Sequence, residues 1–198
     1  MSFESFGLPA LFLISAAALV LLISYDWRLS ISALGSMYIG IFILIALSWP
    51  LEMAVVKLVT GWISASVLGM GLANSPQAWH RPDRYWPSEI IFRVSAAGLY
   101  ILAALSLTPI VKNWLIAATT DQVLSGLILI GLGVFHLGLT AQPVRTIFGL
   151  LVALAGFEIL YATIDSSVLV AGFLAVINMG IALIGAYLLI SPTMEPEE

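Results

Sequence analysis

Residues 168–190 read VLVAGFLAVINMGIALIGAYLLI, with no charge and one strongly polar side chain, Asn178. A helix of ~20 residues crosses the ~30 Å hydrocarbon layer of a bilayer. A helix that is apolar all round its circumference belongs in lipid or in the centre of a large core. The rest of the chain decides between these. It is 61% hydrophobic and 9% charged over 198 residues, with a mean hydropathy of +1.09. Soluble domains carry about 25% charged residues, so a solvated surface cannot be assembled from this chain. Lipid must serve as its solvent.

Working outward, the same pattern recurs six more times. The expected spans are Leu8–Ser24, Leu29–Leu47, Leu51–Ala73, Glu89–Ile110, Val123–Thr140, Thr146–Thr163 and Val168–Ile190. The breaks carry turn or stop signals: Asp26-Trp27-Arg28, Trp49-Pro50, Gln142-Pro143 and Asp165-Ser166-Ser167. Proline lacks the N–H and restricts the residue before it, so Trp49-Pro50 separates two runs that otherwise read as one. The longest polar stretch is Asn74–Ser88, with Trp79, His80, Arg81, Arg84 and Trp86. No Lys or Arg precedes the first run. A cleavable signal peptide carries a positive leading segment, so that run is read as a retained span. The fold class is therefore all-α: a polytopic membrane protein of about seven spans.

Cysteine is absent, which excludes disulfides and thiolate chemistry. No basic cluster of the nucleic-acid kind occurs. No Ser/His/Asp constellation, phosphate loop or paired intramembrane carboxylates occur either, and no metal or other cofactor is expected. Glu195, Glu197 and Glu198 read as a solvated tail.

Lys and Arg near span ends set orientation. With seven spans, one side holds Arg28, Arg81, Arg84 and Arg145, with Arg93 one turn inside span 4, and the other side holds Lys112. The expectation is an outside N-terminus and a cytoplasmic C-terminus, with those four arginines as cytoplasmic anchors. Trp27, Trp49, Trp79, Trp86 and Trp114 fall at span ends or in loops, where interfacial aromatic belts form. Small residues recur inside spans, at Gly126, Gly131, Gly138, Gly149, Gly156, Gly172, Gly180 and Gly185. Such positions let membrane helices approach closely.

Polar groups inside spans are expensive, about 2.5–3.5 kcal/mol or more for an ionisable group at the bilayer centre, so function is sought there. Glu158 lies ~12 residues into span 6, close to mid-span, ~18 Å along the helix. Its two readings are a hydrogen-bonded packing residue and a proton-titrating group. Asn178 lies at similar depth in span 7 and is placed to face Glu158, as helix glue or as part of a polar path. Lys57, one and a half turns into span 3, either snorkels outward toward Glu52 or belongs to a charge relay. His136 in span 5 is either bonded to a neighbouring helix or a proton shuttle.

The segment Arg145-Thr-Ile-Phe-Gly149, then Leu154-Ala-Gly-Phe-Glu158-Ile-Leu-Tyr-Ala162, then a seventh span through Asn178, resembles the three-span K-type (4L) membrane subunit of complex I. Trp27-Arg28-Leu-Ser and the Lys57-bearing span extend the resemblance to a longer form. That form is the E component of group 4 membrane-bound hydrogenases and formate hydrogenlyase-like complexes. The resemblance divides the chain into an N-terminal four-span segment, 1–121, and a K-like three-span segment, 122–198. It implies a non-redox subunit in the proton- or cation-translocating arm of an energy-converting oxidoreductase, in a bacterial or archaeal cytoplasmic membrane. The implied partners are antiporter-like subunits and the subunit that anchors the quinone or redox module. Glu158 falls on the first family glutamate. Asn178 falls where the second would be, a departure that leaves either a single-carboxylate path or a structural bridge. A C-type subunit of a multisubunit cation/proton antiporter shares the K-like core. An independent small transporter and a scaffold subunit complete the alternatives.

Overall fold

A computed structural model describes residues 6–74, 87–139 and 142–190. Seven helices form among them: α1 (Gly7–Ile23), α2 (Trp27–Ile45), α3 (Leu51–Asn74), α4 (Pro87–Trp114), α5 (Thr120–Gly138), α6 (Pro143–Ala162) and α7 (Val168–Ile190). The described residues contain no strand. Six helices are long and apolar enough to cross a membrane, and α1 is shorter at 17 residues. The architecture is that of a multi-pass membrane protein.

Local chemistry sets the helix ends. Asp26 caps α2 by accepting from the Arg28 N–H, and Thr119 and Gln122 form a reciprocal capping box at α5. Each cap satisfies N–H groups that a helix start leaves without partners. Trp49-Pro50 does divide α2 from α3, as its chemistry requires. Pro143 opens α6 as one of its first residues, so this helix starts three residues before the expected Thr146. Proline suits that position because its missing N–H would have no helical partner.

Successive helices run antiparallel. At one end Trp49 Nε1 donates to the Asp165 carbonyl, and Gln122 Nε2 to the Leu44 carbonyl and Ser48 Oγ. At the other end Tyr25 reaches Glu89, and Arg145 reaches the Ser24 carbonyl. We call these the Trp49 end and the Tyr25 end. Helices α1, α3, α5 and α7 all start at the Trp49 end, so α3 and α7 are parallel neighbours.

Glycine governs the packing, because apolar burial does not drive helices together in lipid. The most extensive pairing is α5 with α6. A Cβ on Gly133 would lie 2.5 Å from the Ala153 backbone nitrogen, and one on Gly156 2.7 Å from the Gly126 carbonyl oxygen. Gly126 and Gly149 share this seam, Gly131 receives the Tyr100 ring and Gly185 meets Leu68. Gly138, Gly172 and Gly180 face no atom within 4 Å. The expected close approach thus holds for five of the eight glycines.

Helices α5 and α6 are each 61% buried over their most apolar window, whereas α4 is 17% buried and α7 28%. The outer faces carry Phe92, Leu99 and Leu102 on α4 and Leu169, Phe173 and Val176 on α7. Such surfaces are stable against lipid or other membrane proteins, not water. Helix α1 packs on α5 and α3 on α7, so α1–α4 and α5–α7 pack against each other.

Of the expected interfacial residues, Arg28 is exposed and lies over the Trp27 ring at 5.3 Å, and Trp114 is exposed at the end of α4. Trp49 sits at a helix end but is buried, because its indole N–H is committed to the α6–α7 turn. Trp79, His80, Arg81, Arg84, Trp86 and the acidic tail lie outside the described residues.

Candidate functional site

Glu158 pairs with Lys57. The Lys57 ammonium donates to Glu158 Oε1, and the two residues are 1% and 5% exposed. Lys57 therefore points inward, away from the exposed Glu52, and the snorkelling alternative is excluded. The local reason is α3 itself: Ala54, Lys57, Gly61, Ser64, Ala65, Leu68 and Leu72 form its buried stripe. Lysine falls on that stripe at helical spacing.

The depth differs from the sequence estimate. Because α6 ends at Ala162, Glu158 stands four residues from its C-terminal end, ~6 Å by helix rise. Lys57 stands six residues from the start of α3, ~9 Å by the same measure. The pair lies in the third of the bundle nearest the Trp49 end, not at mid-span.

Asn178 does lie near the middle of its helix, ten residues from Val168 and twelve from Ile190. Its hydrogen-bond partners are Tyr38 and Ser64, not Glu158. Asn178 Oδ1 accepts from the Tyr38 hydroxyl at 2.8 Å, and Nδ2 donates to Ser64 Oγ at 3.3 Å. Tyr38 links the two groups. The Lys57 ammonium lies 5.9 Å from the Tyr38 ring centroid, and Glu158 is within electrostatic reach of the Tyr38 hydroxyl. The result is a buried polar file, Glu158–Lys57–Tyr38–Asn178–Ser64, drawn from α2, α3, α6 and α7. It can hold one positive and one negative charge beside neutral donors and acceptors.

Sequence reasoning missed Tyr38 and Ser64. A signal existed for Tyr38, since a buried tyrosine requires a partner for its hydroxyl. Gly61 also sits under its ring, where a Cβ would fall 2.2 Å from ring carbons.

His136 is not part of this file. It stands two residues from the end of α5 at the Tyr25 end, 3% exposed, with Nε2 unbonded among the described residues. Its charged neighbours are Arg145 and Arg93. These arginines form a second cluster. Arg145 donates to the Ser24 carbonyl and lies 4.5 Å from the Tyr25 ring. Arg93 donates to the Leu22 carbonyl at 3.0 Å and to Glu89 Oε1 at 2.8 Å, and lies 5.7 Å from the same ring. The Tyr25 hydroxyl donates to Glu89 Oε1 at 2.7 Å. Burial first, and then the bond to Glu89, hold Tyr25 above the ordinary tyrosine pKa, so it remains a donor at neutral pH. Arg145 is thus a buried tie between α6 and the α1–α2 turn, whereas Arg28 is exposed at the surface over the Trp27 ring.

No group of three or more metal-ligating side chains occurs among the described residues. The chain matches no family model, no curated protein and no solved structure.

Proposed function

We propose that the chain is a non-redox membrane subunit of a complex I-like, energy-converting oxidoreductase, of the hydrogenase or formate hydrogenlyase kind. In this reading it contributes a charged step to the intramembrane proton or cation path. The observation that supports it is the Lys57–Glu158 pair. One partner comes from the part of the chain that extends beyond the K-like core and the other from the core itself. Desolvating two charges costs several kcal/mol per ion, and apolar replacement of such a pair is often neutral or stabilising. A chain this apolar has no need of the pair for stability, which favours a use for the charges.

The mechanism is a change of partner. Glu158 holds the Lys57 ammonium through Oε1. When a neighbouring subunit alters the local field, the pair separates or exchanges a proton, while Tyr38 and Asn178 keep the adjoining polar groups bonded. The arginine-rich Tyr25 end faces the cytoplasm in this reading, with antiporter-like and redox-anchoring subunits against the exposed apolar faces.

Glu158→Gln tests the proposal. It keeps side-chain size and an oxygen for Lys57 while removing the ionisable group. The expected outcome is an assembled complex with reduced ion translocation. Full translocation in this variant would overturn the reading. The scaffold alternative is separated by replacing both charges together, Lys57→Gln with Glu158→Gln. A scaffold keeps full translocation in the double variant, and a charged step does not.

A further inference from the structure

We infer that Glu158 is reached by water from one end of the bundle only, through a vestibule between the first turns of α3 and α7. The inference rests on the reading of Glu158 as a charge-carrying group and adds a direction to it.

The two helices run parallel and are unevenly spaced. Near the Tyr25 end they close on each other. A Cβ on Gly71 would lie 3.1 Å from Leu189, and one on Gly185 2.8 Å from Leu68. Toward the Trp49 end a partly open cavity separates them, lined by Trp49, Val56, Lys57, Glu158, Ala171 and Ala175 among others. Its room for water is about 10 Å³, enough for about one molecule beside the carboxylate. Every helix residue on its wall lies in the part of α2, α3, α6 or α7 nearest the Trp49 end.

The carboxylate fits this place. Glu158 Oε1 is bound to Lys57, while Oε2 is buried and has no hydrogen-bond partner among the described residues. An unsatisfied buried carboxylate oxygen is costly, and a water in the vestibule relieves that cost. Among the described residues, the charged or titratable groups beside Glu158 are Lys57 from α3 and Tyr38 from α2.

The opposite direction is closed. Tyr38 is fully buried, its hydroxyl is held by Asn178 and its ring is seated on Gly61. Beyond it lie the fully buried Leu34, Leu68 and Leu72. A proton arriving in the vestibule binds Oε2, cancels the carboxylate charge and loosens the ammonium. The reverse step returns the proton to the same vestibule unless Tyr38 moves.

The natural absence of cysteine allows a clean test. Val56→Cys, Ala175→Cys, Ser64→Cys and Ser166→Cys are introduced one at a time in the full chain, in sealed native membrane vesicles of both orientations. Each is exposed to a membrane-impermeant cationic methanethiosulfonate. Only a hydrated thiol ionises and reacts, so Val56→Cys and Ala175→Cys should react from the face that modifies Ser166→Cys about tenfold faster than from the other. Ser64→Cys, beyond Tyr38, should resist both. Faster reaction from the opposite face, equal reaction from both faces, or no reaction at either vestibule position while Ser166→Cys reacts would overturn the inference. So would Ser64→Cys reacting as fast as Ala175→Cys. If Ala175→Cys fails to assemble, Val56→Cys on the exposed side of α3 decides. Labelling reads access alone. Loss of translocation in Glu158→Gln without labelling would remove the vestibule and leave the charged step standing.

Discussion

The two buried charged clusters solve one problem in opposite ways. At the Tyr25 end, Arg93 and Arg145 are held by backbone carbonyls and by the Tyr25 ring, and Arg93 also by Glu89, whose side chain is 43% exposed. Many weak partners share each charge there, and the cluster borders the surface. Toward the Trp49 end, Lys57 and Glu158 each have one charged partner, and both are nearly inaccessible. A distributed cluster ties helices together and changes little when one contact is lost. A lone buried pair has two states, joined and separated, which is the property a charge relay requires.

The sharpest way to break this contrast is to remove charges singly and together. Lys57→Met alone should destabilise the chain by about 3–5 kcal/mol, because Glu158 is left buried without its partner. Lys57→Met with Glu158→Leu should recover most of that loss, and thermal unfolding in detergent compares the two. A double variant as unstable as the single would show that the pair is not self-contained.

Arg145→Met should cost less, about 1.5–3 kcal/mol for hydrogen bonding to a charged group, since Arg93 and Tyr25 remain to tie α4 to the α1–α2 turn. The same unfolding measurement checks it, and a loss beyond that of Lys57→Met would reverse the comparison. Tyr38→Phe removes the donor to Asn178 and should cost about 1–2 kcal/mol. It should also raise the reaction of a cysteine at 64, which no purely structural loss at the Tyr25 end would do. Arg28→Ala should be smallest, at most about 1 kcal/mol for its exposed contact with Trp27. Its informative readout is topology, because it weakens the positive bias at one end without touching either buried cluster.

Much of the fold was legible in the residues. Seven runs became seven helices, and Trp49-Pro50 fell between α2 and α3. The site was legible as a set of costly residues but not as an arrangement. The sequence makes a Glu158–Asn178 pairing available, since adjacent antiparallel helices can bring the two together. The structure gives Glu158 to Lys57, 101 residues away, and Asn178 to Tyr38, 140 residues away. His136 stood among the relay candidates by residue type, yet α5 places it at the far end. Glu158 also lies nearer the Trp49 end than mid-span, because α6 ends only four residues beyond it, at Ala162.

By itself, then, the sequence determined how many helices form, where each begins and ends within a few residues, and which side chains are too costly to sit in lipid. Those properties are local: the bilayer tests each run against a fixed thickness and a fixed polarity. Tertiary structure alone decided which polar group answers which, how deep the pair lies, and that α3 and α7 part at one end while closing at the other. Hydropathy carries no information about helix rotation, because a lipid-facing leucine and a buried one read alike. Close approach at Gly61, Gly71, Gly133, Gly156 and Gly185 sets the rotation, and with it the partners of Lys57, Glu158 and Asn178.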